Sequence, residues 1–202
     1  MRKEELFEAI LKAAERVGAT DWVVIGSQAV HGALPNAPIS RVERSDDADA
    51  FPVDYEEWMY EPLHYELGFD SDFNKETGYY FEVVRPTMPR LPKGWEQRIK
   101  TDTIGEINVR GSNRPVAVSF PDLHDLLAAK LSVKRPRDTA FFRQIYRLGV
   151  VDQTLLLQRL ADVPKRTEEH ARKGDAATRY VHDFYRWQER LAERKRDRGH
   201  AR

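Results

Sequence analysis

The 202-residue chain contains no cysteine. That excludes disulfides, thiolate metal sites and a cysteine nucleophile, and it fits a reducing compartment. No apolar run approaches the roughly 18 residues needed to span a bilayer. The start, Met1-Arg2-Lys3-Glu4-Glu5, has no apolar stretch of the kind found in secretory leaders. The expectation is a soluble, cytoplasmic protein with no membrane partner. Net charge is lacking too, because 33 Lys and Arg balance 33 Asp and Glu, so the chain as a whole gives no electrostatic argument for nucleic acid. There is no internal repeat and no low-complexity segment. His31 and His124 have no metal-ligand spacing to another histidine and read as structural.

What the chain does have is charge sorted along its length. From Ser45 to Glu82 there are twelve acidic residues and one basic residue, Lys75. From Lys165 to Arg202 twelve Lys and Arg face seven Asp and Glu. Such sorting marks either solvated helical faces or an interaction tail. With 41% hydrophobic residues, the chain can build one sizeable domain, or a domain with a small appendage.

Apolar residues Leu6, Ile10, Leu11, Ala14 and Val17 fall at helical spacing, and Gly18 suits a helix C-cap. Trp22 to Ile25 reads as a buried strand. Ser27 to about Leu34 reads as a short helix with Ser27 as N-cap. Pro35-Asn36-Ala37-Pro38 breaks that helix and opens a polar loop to Arg44. Ala48 to Val53 reads as a second strand, Asp54 as the cap of a helix to Leu67, and Gly68 to Gly78 as a loop. Tyr79 to Val84, Arg98 to Thr103, Ile107 to Arg110 and Val116 to Phe120 read as further strands. Four helices then follow, over 122–133, 138–148, 152–163 and about 168–196. The expected fold class is α/β. A mixed β-sheet flanked by helices occupies 1–120, and a helical C-terminal region ending in a long charged helix occupies 121–202.

One constellation points to chemistry. A hydrophobic strand ends in Gly26-Ser27, and Ser45-Asp46-Asp47-Ala48-Asp49 follows. Alternate residues of an extended segment share a face, so Asp47 and Asp49 project together. Two adjacent carboxylates repel unless a cation sits between them, and Mg²⁺ held by carboxylates and substrate phosphates is a natural occupant. Backbone N–H groups after Gly26-Ser27 can cradle a phosphate. Together these parts suggest a nucleoside-triphosphate site. The bland alternative is a solvated acidic turn, which the apolar setting of Ala48, Ala50, Phe51 and Pro52 disfavours. Further on, Lys130 lies in the apolar stretch Leu126 to Leu131, where an ammonium is costly to bury unless it meets an anion. Lys134, Arg135, Arg137 and Asp138 follow it.

Gly26-Ser27-Gln28-Ala29, Asp47-Ala48-Asp49-Ala50-Phe51-Pro52, Gly78-Tyr79-Tyr80, Leu91-Pro92-x-Gly94-Trp95-x-x-Arg98 and Asp125-Leu126-x-x-x-Lys130-Leu131 together resemble the nucleotidyltransferase superfamily, of polymerase-beta-like fold. Within it they resemble an uncharacterised bacterial family related to the nucleotidyltransferase-like toxins of toxin–antitoxin and abortive-infection systems. The similarity covers roughly residues 20 to 150. The resemblance implies Gly26 and Ser27 for triphosphate binding and Asp47 and Asp49 for Mg²⁺. It implies a third carboxylate on a neighbouring strand, for which Glu82 is the candidate, the alternative being an outward-facing glutamate. It implies phosphate contact by Lys130, with Lys134 one helical turn away as a second nucleotide-binding lysine and Arg135 and Arg137 as alternatives, and a required aspartate at Asp138. The alternative for Asp138 is an Asp–Arg or Asp–Lys pair fixing the helix junction. Asp125 reads as a first-turn charge on the helix dipole. The implied activity is transfer of a nucleoside monophosphate from an NTP. The acceptor would be RNA, such as a tRNA 3′ end, or else a protein or small-molecule hydroxyl. A cognate antitoxin protein is the implied partner. The fold also hosts inactive members, so a non-catalytic nucleotide- or protein-binding module stays open. On the last helix, Tyr180, Val181, Phe184, Tyr185, Trp187 and Leu191 read as a stripe docking on the chain's own core, with RNA backbone binding as the alternative.

Overall fold

Five strands form one mixed sheet in the order β3-β2-β1-β5-β4. They are β1 (Asp21–Val24), β2 (Asp47–Pro52), β3 (Tyr80–Val83), β4 (Lys100–Val109) and β5 (Ser112–Phe120). A computed structural model of the chain describes residues 1–35 and 45–200. The loop expected from Pro35 to Arg44 lies, after Pro35, outside the described residues. β1 pairs antiparallel with β2 and parallel with β5, while β2 pairs parallel with β3. A central strand must be apolar on both faces, and Trp22, Val23 and Val24 are all buried. Trp22 meets Phe81 of β3 edge-on, with ring centroids 5.6 Å apart.

The eight helices among the described residues are α1 (Lys3–Val17), α2 (Val30–Ala33), α3 (Tyr60–Leu67), α4 (Asp72–Thr77), α5 (Leu123–Val133), α6 (Pro136–Tyr146), α7 (Gln153–Asp162) and α8 (Glu168–His200). α1 buries Leu6, Ala9, Ile10, Ala13 and Ala14 and packs on β3, β4 and α3. It stops at Gly18, whose left-handed φ of 73° lets its N–H reach Ala14 O at 2.8 Å. Several sequence expectations shift. Asp54 caps no helix: a 3₁₀ turn, Glu57–Met59, precedes α3. The stretch from Gly68 to Gly78 contains α4, capped by Ser71 Oγ accepting from Asn74 N–H at 3.1 Å. The strands expected at Arg98 and Ile107 are one strand, β4, with a register shift between Thr103 and Gly105.

α5 is surrounded. Eight of its residues are buried, and it packs against α6, α7 and α8. Residues on both sides of Phe120-Pro121 contribute to one buried hydrophobic cluster. α8 docks through Ala177, Val181 and Phe184, and Phe142 and Tyr146 of α6 meet Phe184 edge-on at 5.1 and 4.8 Å. That is the docking expected for the aromatic stripe. Trp187 at its outer end stays half-exposed.

Asp125 opens α5 as expected, but ion pairing rather than the helix dipole dominates its surroundings. Its carboxylate is fully buried and accepts from Arg98 Nε at 2.8 Å and Nη2 at 2.9 Å, with Arg159 Nε at 3.2 Å from Oδ1. These pairs tie the 3₁₀ turn Trp95–Arg98 and α7 to α5. Removing the Asp125 charge leaves two partly buried guanidiniums without their counter-charge. Asp125→Asn keeps the shape and deletes the charge, so it should cost about 3–5 kcal/mol in chemical denaturation. A loss below about 1 kcal/mol would place the pairs in the range of surface ion pairs and contradict this assignment.

Candidate active site

β2 and β3 run parallel in register, with Asp47 beside Tyr80 and Asp49 beside Glu82. Ala48, Ala50, Phe81 and Val83 point into the core. By alternation, Asp47, Asp49, Tyr80 and Glu82 share the other face. That face is one wall of a cleft of about 1180 Å³. Burial, then Asp47, then Glu82 raise the Asp49 carboxyl to about 6. Ser45 Oγ donates to Asp47 Oδ1.

β1 delivers the turn that faces these carboxylates. Gly26 has φ +68°, and a Cβ placed on it would stand 2.3 Å from Asp49 Oδ2. The positive φ favours glycine, and any side chain there would also displace the Asp49 carboxylate. Ser27 is not the helix cap expected from the sequence. The turn runs through Ala29 before α2, and α2 is a single turn without a side-chain cap. A full helix dipole is thus not what Ser27 offers a phosphate. Its hydroxyl accepts from Lys130 Nζ at 3.1 Å instead.

Lys130 projects from the less buried face of α5. Its ammonium lies 4.8 Å from the centroid of the Phe141 ring and 3.9 Å from Asp138 Oδ1. Burial lowers its pKa, against the opposing pull of Asp138. Asp138 is itself buried and occupied. Its Oδ2 accepts from Arg135 Nε at 2.8 Å and from Arg135 N–H at 3.2 Å, and its Oδ1 accepts from Arg135 Nη2 at 3.2 Å. It therefore closes the first turn of α6, which is the helix-junction pairing weighed above. Lys134 is the left-handed C-cap of α5 and is exposed; the cations lining the cleft are Lys130, Arg135, Arg137, Arg143 and Arg147. Arg143 and Arg147 were not singled out in the sequence, although their spacing of four on α6 is legible there.

The donor chemistry fits Mg²⁺ at Asp47 and Asp49. Magnesium takes one or two carboxylates and completes its shell with water and phosphate oxygens, and burial among like charges leaves Asp49 short of positive charge. Glu82 shares the wall, but among the described residues no group of three or more His, Asp or Glu stands close enough to hold a metal ion by itself.

A family described as nucleotidyltransferase of unknown function (DUF6036) matches residues 4–193. The chain belongs to this family. The chain has no match among curated proteins and none among solved structures. Membership of a nucleotidyltransferase family agrees with a mixed sheet that presents a Gly-Ser turn opposite an Asp-x-Asp strand, and it extends the similarity through most of α8.

A carboxyl whose folded pKa exceeds its unfolded value stabilises the fold below the unfolded pKa and loses that contribution as pH rises through the folded pKa. In EDTA, Asp49→Asn should therefore be more stable than wild type by roughly 1–3 kcal/mol above about pH 7, and equal to it below about pH 4. Denaturation midpoints at both pH values measure this, and a destabilised Asp49→Asn protein at the higher pH would contradict the repulsion.

Proposed function

We propose that the chain is a Mg²⁺-dependent nucleotidyltransferase that moves a nucleoside monophosphate from an NTP to an acceptor hydroxyl on RNA, such as a tRNA 3′ end, as a toxin-like enzyme. The observation that carries this reading is the division of the cleft by charge. Asp47, Asp49 and Glu82 lie on the sheet wall, and on the helical wall Lys130, Arg135, Arg137, Arg143 and Arg147 outnumber the one carboxylate there among the described residues, Asp138. A triphosphate needs both: cations against its oxygens, and carboxylates to hold the divalent ion that accompanies it. The arginines on α6 also suit the phosphodiesters of a nucleic-acid acceptor. The toxin role and a cognate antitoxin rest on the resemblance alone.

Asp47 and Asp49 would hold Mg²⁺, which supplies charge stabilisation to the attacking and leaving oxygens. Gly26 keeps the turn close to that strand. Ser27 fixes the ammonium of Lys130, which meets the phosphates. The acceptor hydroxyl gives up its proton to solvent, its oxygen bonds to the α-phosphorus, the bond from the α-phosphorus to the bridging oxygen of the β-phosphate breaks, and pyrophosphate leaves with that oxygen. One observation favours a second reading, a nucleotide-binding module without turnover. Asp138, the aspartate that the resemblance makes essential, is already held by Arg135.

The test is transfer of label from each α-³²P NTP, with Mg²⁺, onto total bacterial tRNA. Asp47→Ala and Asp49→Ala should each lower transfer by about a hundredfold or more while remaining folded. Full activity in either variant would overturn the site. Tight NTP binding without labelling of RNA, protein or small-molecule acceptors would favour the binding module.

A further inference from the structure

Beyond Lys130 the cleft opens into a second cavity of about 390 Å³. It lies between the segment 87–91, α5 and the start of α8. Among the described residues five cationic ones line it, Arg90, Lys130, Arg135, Arg166 and Lys173, with His170 beside them and Asp49 as the one carboxylate on its wall. Three of the five have acidic partners. Lys130 and Arg135 stand at Asp138, and Lys173 Nζ is 2.6 Å from Glu169 Oε1.

Arg90 and Arg166 have no such partner: among the described residues, neither is in an ion pair. Arg90 is 8% exposed. Its Nη2 donates to Ser132 O and, at 2.9 Å, to Ser132 Oγ, while its Nη1 has no partner. Arg166 Nη1 donates to Thr87 O, a neutral acceptor. Burial and the neighbouring Arg166 charge both lower the Arg90 pKa, and Glu169 only partly offsets them. A buried guanidinium beside a second one is costly without a counter-charge. His170 Nδ1 is likewise buried without a partner.

We propose that this cavity is a phosphate subsite, in which Arg90 and Arg166 grip a phosphoryl group whose remainder lies in the main cleft. Guanidinium forks match the paired oxygens of phosphate. Gly26, Asp49 and Lys130 line both spaces, so one ligand can occupy the two together. The phosphoryl group comes either from the tail of the nucleotide or from a phosphorylated acceptor. Its placement along a substrate rests on the transferase reading; its binding does not.

Inorganic phosphate is the probe, titrated calorimetrically into the full chain in EDTA. Wild type should bind it saturably. Arg166→Ala, a change at an exposed position, should weaken binding by about tenfold or more with an unchanged melting curve. Arg90→Met should do the same if it folds. Absence of saturable binding by wild type, or unchanged binding in Arg166→Ala, overturns the subsite. A non-hydrolysable NTP analogue separates the two sources. Displacement of phosphate assigns the subsite to the nucleotide tail; simultaneous binding assigns it to the acceptor; either result supports the subsite. Phosphate binding in a chain that transfers nothing would count against the transferase alone, whereas transfer without phosphate binding would count against the subsite alone.

Discussion

Asp49 is held in a place where its own charge is unwelcome. Burial and two neighbouring carboxylates raise it to about 6, and a side chain at Gly26 would fit only if the Asp49 carboxylate moved. The parallel pairing of β2 with β3 enforces the crowding, because the same register that buries Ala48, Ala50, Phe81 and Val83 sets Asp47 and Asp49 beside Tyr80 and Glu82. Core packing and site electrostatics are therefore consequences of one register.

α5 links the sheet to the helical half. One side carries Asp125, locked by Arg98 and Arg159; the other carries Lys130, which reaches Ser27. The ion pairs fix the helix, and the helix fixes the ammonium opposite the carboxylates. α6 continues the wall, with Asp138 closing its first turn through Arg135 and Arg143 and Arg147 extending the positive surface.

Much of this was legible from residues alone. Period-two alternation over Asp47-Ala48-Asp49-Ala50 located the carboxylates, and the apolar run to Ile25 located the turn before Ser27. A lysine among leucines marked Lys130. Local signals failed where tertiary contacts decide. Ser27 looks like a cap, yet its hydroxyl is taken by a lysine 103 residues away. Asp125 looks like a dipole charge because neither Arg98 nor Arg159 is near it in sequence. Arg90 and Arg166 left no trace, since their proximity arises only when α8 folds back over the segment after β3. β4 read as two strands because Gly105 and the register shift at Ile104 interrupt its pattern.

The central claim is that a divalent cation relieves the repulsion at Asp49. Mn²⁺, a paramagnetic stand-in for Mg²⁺, tests it most directly through selective broadening of assigned backbone resonances. The account predicts broadening centred on Asp47, Asp49 and Gly26, abolished in the Asp47→Asn/Asp49→Asn protein. Broadening centred elsewhere, or unchanged in that variant, would contradict it.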